Sequence, residues 1–167
     1  QCSDTGLAAA RPTMYEAHPT SGIPYLANDW SDFERVYHAM IDTGSIESMK
    51  DIWWDIRPSP TYGTLELRMC DGPATLLELE SIVALIHVLA LLFNDHGDIY
   101  FKEHTAIPDR WVLRENKWRV IRNGIDAVLI DPDTLHTEKF VSVMSHWLEQ
   151  VQPYAEKFGY ENYMQTI

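Results

Sequence analysis

The stretch Ile52-Trp53-Trp54-Asp55-Ile56-Arg57-Pro58-Ser59-Pro60-Thr61-Tyr62-Gly63-Thr64-Leu65-Glu66-Leu67-Arg68 decides how this chain is read. Each end of it alternates with a period of two, the mark of a β-strand. A short Pro- and Gly-bearing segment joins the two ends. In the first run Ile52, Trp54 and Ile56 share one side, and Trp53, Asp55 and Arg57 share the other. In the second, Leu65, Leu67 and Met69 oppose Thr64, Glu66 and Arg68, and the leucine and isoleucine face is the one expected to be buried under helices. So short a connection predicts an antiparallel, hairpin-like pair, which Asp71-Gly72-Pro73 ends.

Outward from this pair the pattern turns helical. Residues 1–29 are rich in Gly, Pro, Ser and Thr and read as loop. Trp30, Phe33, Val36, Tyr37, Met40 and Ile41 have helical spacing, with Asp29 or Ser31 as cap and Gly44 as stop. Residues 75–93 predict a long, almost wholly apolar buried helix, and 94–110 a polar loop. Residues 111–123 predict a helix stopped by Gly124; 127–130 form a brief apolar run before the turn Asp131-Pro132-Asp133. A last helix starts near Thr137 on the stripe Phe140, Val143, Met144, Trp147 and Val151, and Pro153 kinks or ends it. The fold class is α+β, a small antiparallel sheet with helices packed over one side.

Composition narrows the function classes. Of 167 residues, 46% are hydrophobic, and six Trp and eight Tyr supply bulky core material, which argues for a folded chain. Thirteen basic residues face 25 acidic ones, a net charge of −12 with no basic patch, which speaks against nucleic acid as a partner. Cys2 and Cys70 have neither metal-ligand spacing nor a disulfide framework and read as reduced thiols of a cytoplasmic protein. Glu78, Glu80 and His87 interrupt the apolar run and argue for a buried helix over a membrane span. Glu78 and Glu80 read as a solvated patch suited to the helix dipole. His87 reads as a core histidine, and none of the seven His forms a His-x₃-His or Glu-x-x-His pair. Trp111, Trp118 and Trp147 read as core, and one of Trp53 and Trp54 must face the core as well.

The polar side of the strand pair carries the chemistry. Asp55, Arg57, Glu66 and Arg68 gather two acids and two guanidinium groups on one face. Planar guanidinium forks bind carboxylate and phosphate through paired hydrogen bonds. A neighbouring carboxylate suits Mg²⁺, which takes oxygen ligands, and phosphoryl transfer uses both. The same alternation also describes a solvated cross-strand ion pair of little worth.

The stretch resembles the signature of the YbdK-like carboxylate–amine ligases, the type 2 glutamate–cysteine ligase family. Trp54 to Pro60, Gly63-Thr64, Glu66-Leu67-Arg68 and Asp71-Gly72-Pro73 follow its order and gaps. Arg11-Pro12 is similar to its Ser-Arg-Pro turn, with Ala10 in place of Ser. Glu115 to Arg119 with Arg122 and Gly124 resembles its Asn, basic, aromatic, Arg-x-Gly helix.

This resemblance implies part of a glutamine-synthetase-like catalytic domain. ATP and Mg²⁺ would activate a carboxylate as an acyl phosphate, and an amine would displace the phosphate to form an amide, as in joining glutamate to cysteine. Glu66 is implied as metal ligand, Arg68 as the grip on the acid and Arg57 as support for the phosphates, the two arginines being the catalytic pair. Arg11, Asp55, Asn116, Arg119 and Arg122 are implied as further substrate- or nucleotide-binding residues. Family members are about twice as long, so residues 1–167 are expected to be a single partial domain, the C-terminal portion of a longer ligase and inactive alone. Its expected partners are amino-acid substrates, the missing N-terminal half and further copies of itself, without a membrane. A non-catalytic assembly fragment is the alternative, and a guanidine-phosphorylating enzyme on the same sheet a weaker one.

Overall fold

The chain ahead of Trp30 already departs from a plain loop. Arg11-Pro12 opens a short helix, α1 (Arg11–Tyr15), because the Pro12 ring presets the helical φ where no backbone donor is needed. Ser21–Gly22 forms strand β1, which finds its ladder only in a distant partner, Trp53–Trp54. The computed structural model describes residues 4–25, 27, 29–103 and 110–167. They fall into two compact units, one of Ala9–Asp71 and one that takes in Gly72–Ile167.

In the first unit, α2 (Trp30–Asp42) starts where the sequence predicts. The Asp29 carboxylate accepts from the Asp32 N–H at 2.8 Å, which satisfies one of the helix's unpaired donors. Phe33, Tyr37, Met40 and Ile41 pack on the buried side chains of Ile46, Ile52 and Trp54. Trp53 is 45% exposed beside Trp54 at 7%, so one of the pair faces the core, as alternation requires.

The strand expected through 52–57 breaks at Asp55. β2 (Trp53–Trp54) pairs in parallel with β1. β3 (Ile56–Ser59) then pairs antiparallel with β4 (Thr64–Leu67), and Arg57 stands opposite Glu66. The expected hairpin therefore forms, with Gly63 at φ 62° in its connection. Its faces are the reverse of those expected. Leu65 and Leu67 are 59% and 38% exposed, whereas Arg57 is 8% exposed. Arg57 can be buried because its guanidinium finds backbone carbonyls inside the unit.

The second unit is helical, with one hairpin among its described residues. Its first helix, α3 (Leu76–Glu103), is longer than expected and runs through residues 94–103 of the predicted loop. Polar side chains do not break a helix, and Tyr154 holds Asp95 there at 3.0 Å; the expected loop's residues 104–109 lie outside the described residues. Thr75 and Glu78 close a reciprocal cap. The Glu78 carboxylate accepts from the Thr75 N–H, and the Thr75 hydroxyl accepts from the Glu78 N–H. Glu78 is thus a capping residue and not part of a free acidic patch.

Three elements follow: α4 (Arg110–Asn123), the antiparallel hairpin of β5 (Val128–Ile130) and β6 (Thr137–Lys139), and α5 (Phe140–Phe158). Thr137–Lys139 is strand and not the first turn of the last helix, because its backbone pairs with β5. Pro153 sits within α5 without ending it; the helix stops at Gly159, φ 72°. The core joins Ala84, Val88 and Leu92 of α3, Val151 and Ala155 of α5, and Met164 of α6 (Glu161–Met164). His87 lies beside it, 3.2 Å from the Tyr160 hydroxyl, which agrees with a core histidine.

Burial of α3 is narrower than predicted. By length and composition, residues 76–97 are apolar enough to cross a membrane, yet only 22% of the most apolar window is buried. Among the described residues α3 packs chiefly on α5 and α6, so Leu76, Leu77, Leu79 and Val83 stay exposed. Trp111 and Trp118, expected as core, are 50% and 43% exposed, whereas Trp147 packs on the core.

Candidate functional site

The antiparallel register sets Arg57 and Glu66 side by side, and the period of two returns Arg68 to the same face. Glu66 Oε2 accepts from Arg57 Nη2 at 2.6 Å and from Arg68 Nη1 at 3.0 Å. One carboxylate oxygen thus binds two guanidinium groups, and the three side chains keep a surplus of positive charge. Donation from Arg57 first, and from Arg68 second, holds the Glu66 carboxyl below the usual carboxylate range.

The two arginines have different freedom. Arg57 Nη1 is aimed at the carbonyls of Met49, Lys50 and Ile52, at 3.3, 3.1 and 2.9 Å, and Nη2 is taken by Glu66. Its Nε is buried without a partner. Arg57 is therefore a buried strut behind Glu66. The Arg68 side chain is 29% exposed. Among the described residues its Nε and Nη2 donate to no protein group, so Arg68 can present two N–H groups to an anion.

Arg11 is also engaged. Its guanidinium reaches the carbonyls of Arg68, Met69 and Cys70 at 3.5, 3.4 and 3.3 Å and pairs with Asp71 at 3.1 Å. It clamps the segment that leaves β4. Asp55 lends its backbone to the same corner, accepting from the Arg68 N–H at 2.7 Å.

Asn116, Arg119 and Arg122 belong to the helical unit. The Asn116 amide brackets Ile130, donating to its carbonyl and accepting from its N–H, both at 2.8 Å. Arg119 joins Glu115 at 2.8 Å and the Val128 carbonyl at 2.9 Å. Both fasten strand β5 to α4. Arg122 is exposed in the last turn of α4.

Sequence reading missed the aromatic partners. The Arg68 guanidinium lies over the Trp53 ring at 5.2 Å, and that of Arg11 over the Tyr15 ring at 5.0 Å. The spacing of Arg11 and Tyr15, one turn apart in a Pro-started segment, was the available signal. Tyr15 and Trp53 also line a cleft of about 500 Å³ with His18, Pro19, Thr20 and Ser45.

Glu66 Oε1 accepts from no described residue, and a carboxylate oxygen suits a hard cation. No group of three or more His, Cys, Asp or Glu gathers among the described residues. A Mg²⁺ would therefore take one protein oxygen here. The surplus positive charge makes the triad, taken alone, a better seat for an anion.

The family model for glutamate-cysteine ligase family 2 matches residues 1–167. A Bdellovibrio bacteriovorus protein named "Putative glutamate--cysteine ligase 2" is 42% identical over 98% of this chain and 43% of its own length. A Frankia alni relative, "Putative glutamate--cysteine ligase 2-1", is 46% identical over 77% of this chain and 33% of its own. A Gloeobacter violaceus relative sharing the first name is 35% identical over 98% of this chain and 44% of its own. The chain thus spans less than half the length of these relatives. The match runs across the hairpin that carries Arg57, Glu66 and Arg68 and across the helical unit alike, and by it this chain belongs to glutamate-cysteine ligase family 2.

Proposed function

We propose that this chain is part of an ATP-dependent ligase that joins the carboxylate of glutamate, or a similar amino acid, to an amine such as that of cysteine. The observation that carries the reading is Arg68, half fixed by Glu66 and with two N–H groups free on a surface of positive surplus. Arg68 grips an anionic oxygen pair of the acid or of its phosphorylated form. Glu66 anchors Arg68 at Nη1 and keeps one oxygen for a cation. Arg57 holds Glu66 from behind, and Arg11 holds the backbone of 68–70 in place.

In this reaction a carboxylate oxygen of the acid bonds to the terminal phosphorus of ATP as ADP leaves. The amine nitrogen then attacks the acyl carbon, phosphate departs and the nitrogen loses a proton. Mg²⁺, when bound, screens the charge of the phosphates. No protein nucleophile is used; rate comes from positioning and charge stabilisation. A protein as long as the relatives would supply the remaining ligands, the isolated chain would be inactive, and the enzyme would work in the cytoplasm as a homo-oligomer without a membrane or nucleic-acid partner.

A second reading, an assembly module without chemistry, draws on the exposed apolar side chains of α3 and β4. One experiment separates them. Mg²⁺-dependent ADP release is measured with grids of amino-acid carboxylates, amines and guanidines, in a protein carrying this chain at the full length of its relatives. Release that needs both an acid and an amine, and that Arg68→Ala weakens by raising KM for the acid, supports the ligase. Release with a guanidine alone indicates a phosphagen-type kinase, and no release leaves the assembly module.

A further inference from the structure

The Trp53 backbone belongs to the β1–β2 ladder, but its ring is not spent on the core. Its neighbour Trp54 fills the core, while the Trp53 ring stays 45% exposed. One contact of that ring is the Arg68 guanidinium, 5.2 Å from the ring centre. Another is Tyr15, whose ring stacks at 5.7 Å and 23° and is itself covered by Arg11.

Arg68 needs this support. Its side-chain hydrogen bond goes to Glu66 Oε2, the oxygen that Arg57 takes at the shorter distance. A single shared bond leaves a long side chain able to swing about it. Adding hydrogen bonds would fix the guanidinium at the cost of the donors that a substrate needs. An aromatic face acts on the guanidinium plane and leaves the N–H edges free.

We propose that Trp53 is a positioning residue for Arg68: its ring fixes the guanidinium plane so that the Nε and Nη2 edge faces the anionic substrate. The inference rests on the reading of Arg68 as the grip on the acid. Tyr15, stacked on Trp53, steadies the ring.

The test replaces Trp53 with tryptophans carrying one, two and three ring fluorines, in a protein carrying this chain at the full length of its relatives. Fluorine drains the ring's negative face with little change of shape, so folding is spared. KM for L-glutamate is measured with Mg-ATP and L-cysteine saturating. KM should rise with each fluorine, to about tenfold at three, with kcat within twofold and the melting temperature unchanged. Trp53→Leu should raise KM at least as far, and Trp53→Phe less. A flat fluorine series beside an Arg68→Ala variant with raised KM would overturn the positioning role and leave the grip standing. Arg68→Ala without effect on KM, or no ADP release from the unsubstituted protein, would overturn both.

Discussion

Arg57 and Glu66 occupy opposite positions of one antiparallel ladder, and their side chains meet at 2.6 Å on the face where Arg57 is buried. A cross-strand ion pair in water is worth little. Here one partner is almost wholly withdrawn from solvent, and its Nη1 points at three carbonyls of residues 49–52. Arg57 is a fastener between the hairpin and the one-turn helix Met49–Asp51.

Replacing Arg57 should therefore cost stability before it costs chemistry. Arg57→Met takes a donor from the carbonyls of Met49, Lys50 and Ile52 and leaves Glu66 with Arg68 alone, and should lower unfolding stability by roughly 1.5–3 kcal/mol. Arg57→Lys keeps the charge but cannot span both sets of acceptors, so it should recover less than half of the loss. Urea unfolding of both variants checks this; a Lys variant as stable as the parent would show that charge, not the fork, matters.

The same geometry sets a pH dependence. Arg57 and then Arg68 depress the pKa of Glu66 in the folded state. The unfolded protein then binds more protons than the folded one near the ordinary glutamate pKa, about 4.3. The contribution of Glu66 is complete above that value and is lost as pH falls through the lower folded pKa. Melting temperatures from pH 7 to pH 3 should fall less steeply below about pH 4.3 for Glu66→Gln than for the parent. Parallel curves would mean that Glu66 titrates alike in both states.

Asn116 was expected among the binding residues, and its contacts assign it a different first task. Its amide completes both hydrogen bonds of Ile130. Asn116→Ala should cost about 1–3 kcal/mol and leave KM values unchanged at a temperature where the variant is folded. Asn116→Asp should be no better, because a carboxylate would face the Ile130 carbonyl. A raised KM with an unchanged melting temperature would return Asn116 to the binding surface.

Much of this was legible in the sequence because periodicity records local geometry. The alternation over Thr64–Leu67 gave a strand, and Asp29 and Gly44 bounded α2 correctly. What failed depends on partners distant in the chain. Leu65 and Leu67 read as a buried face, yet burial belongs to whichever face has something to pack on. Thr137–Lys139 carries no apolar alternation and is strand only because β5 supplies its ladder. Proximity of Arg57, Glu66 and Arg68 followed from register, but the hydrogen bonds that separate strut from grip were invisible.

The cap of α3 offers the last prediction. Thr75 and Glu78 satisfy each other's backbone donors, and the Glu78 carboxylate also takes the Ala74 N–H at 2.9 Å. Side chains from 76 to 80 are exposed, so α3 begins with little packing to hold it. Helix starts of this kind depend on their caps. Thr75→Ala should cost about 1 kcal/mol and speed amide exchange over residues 76–79, leaving the buried turns near Val88 protected. Exchange that rises equally at Val88 would mean that α3 opens as one unit and that its cap supports the whole helix.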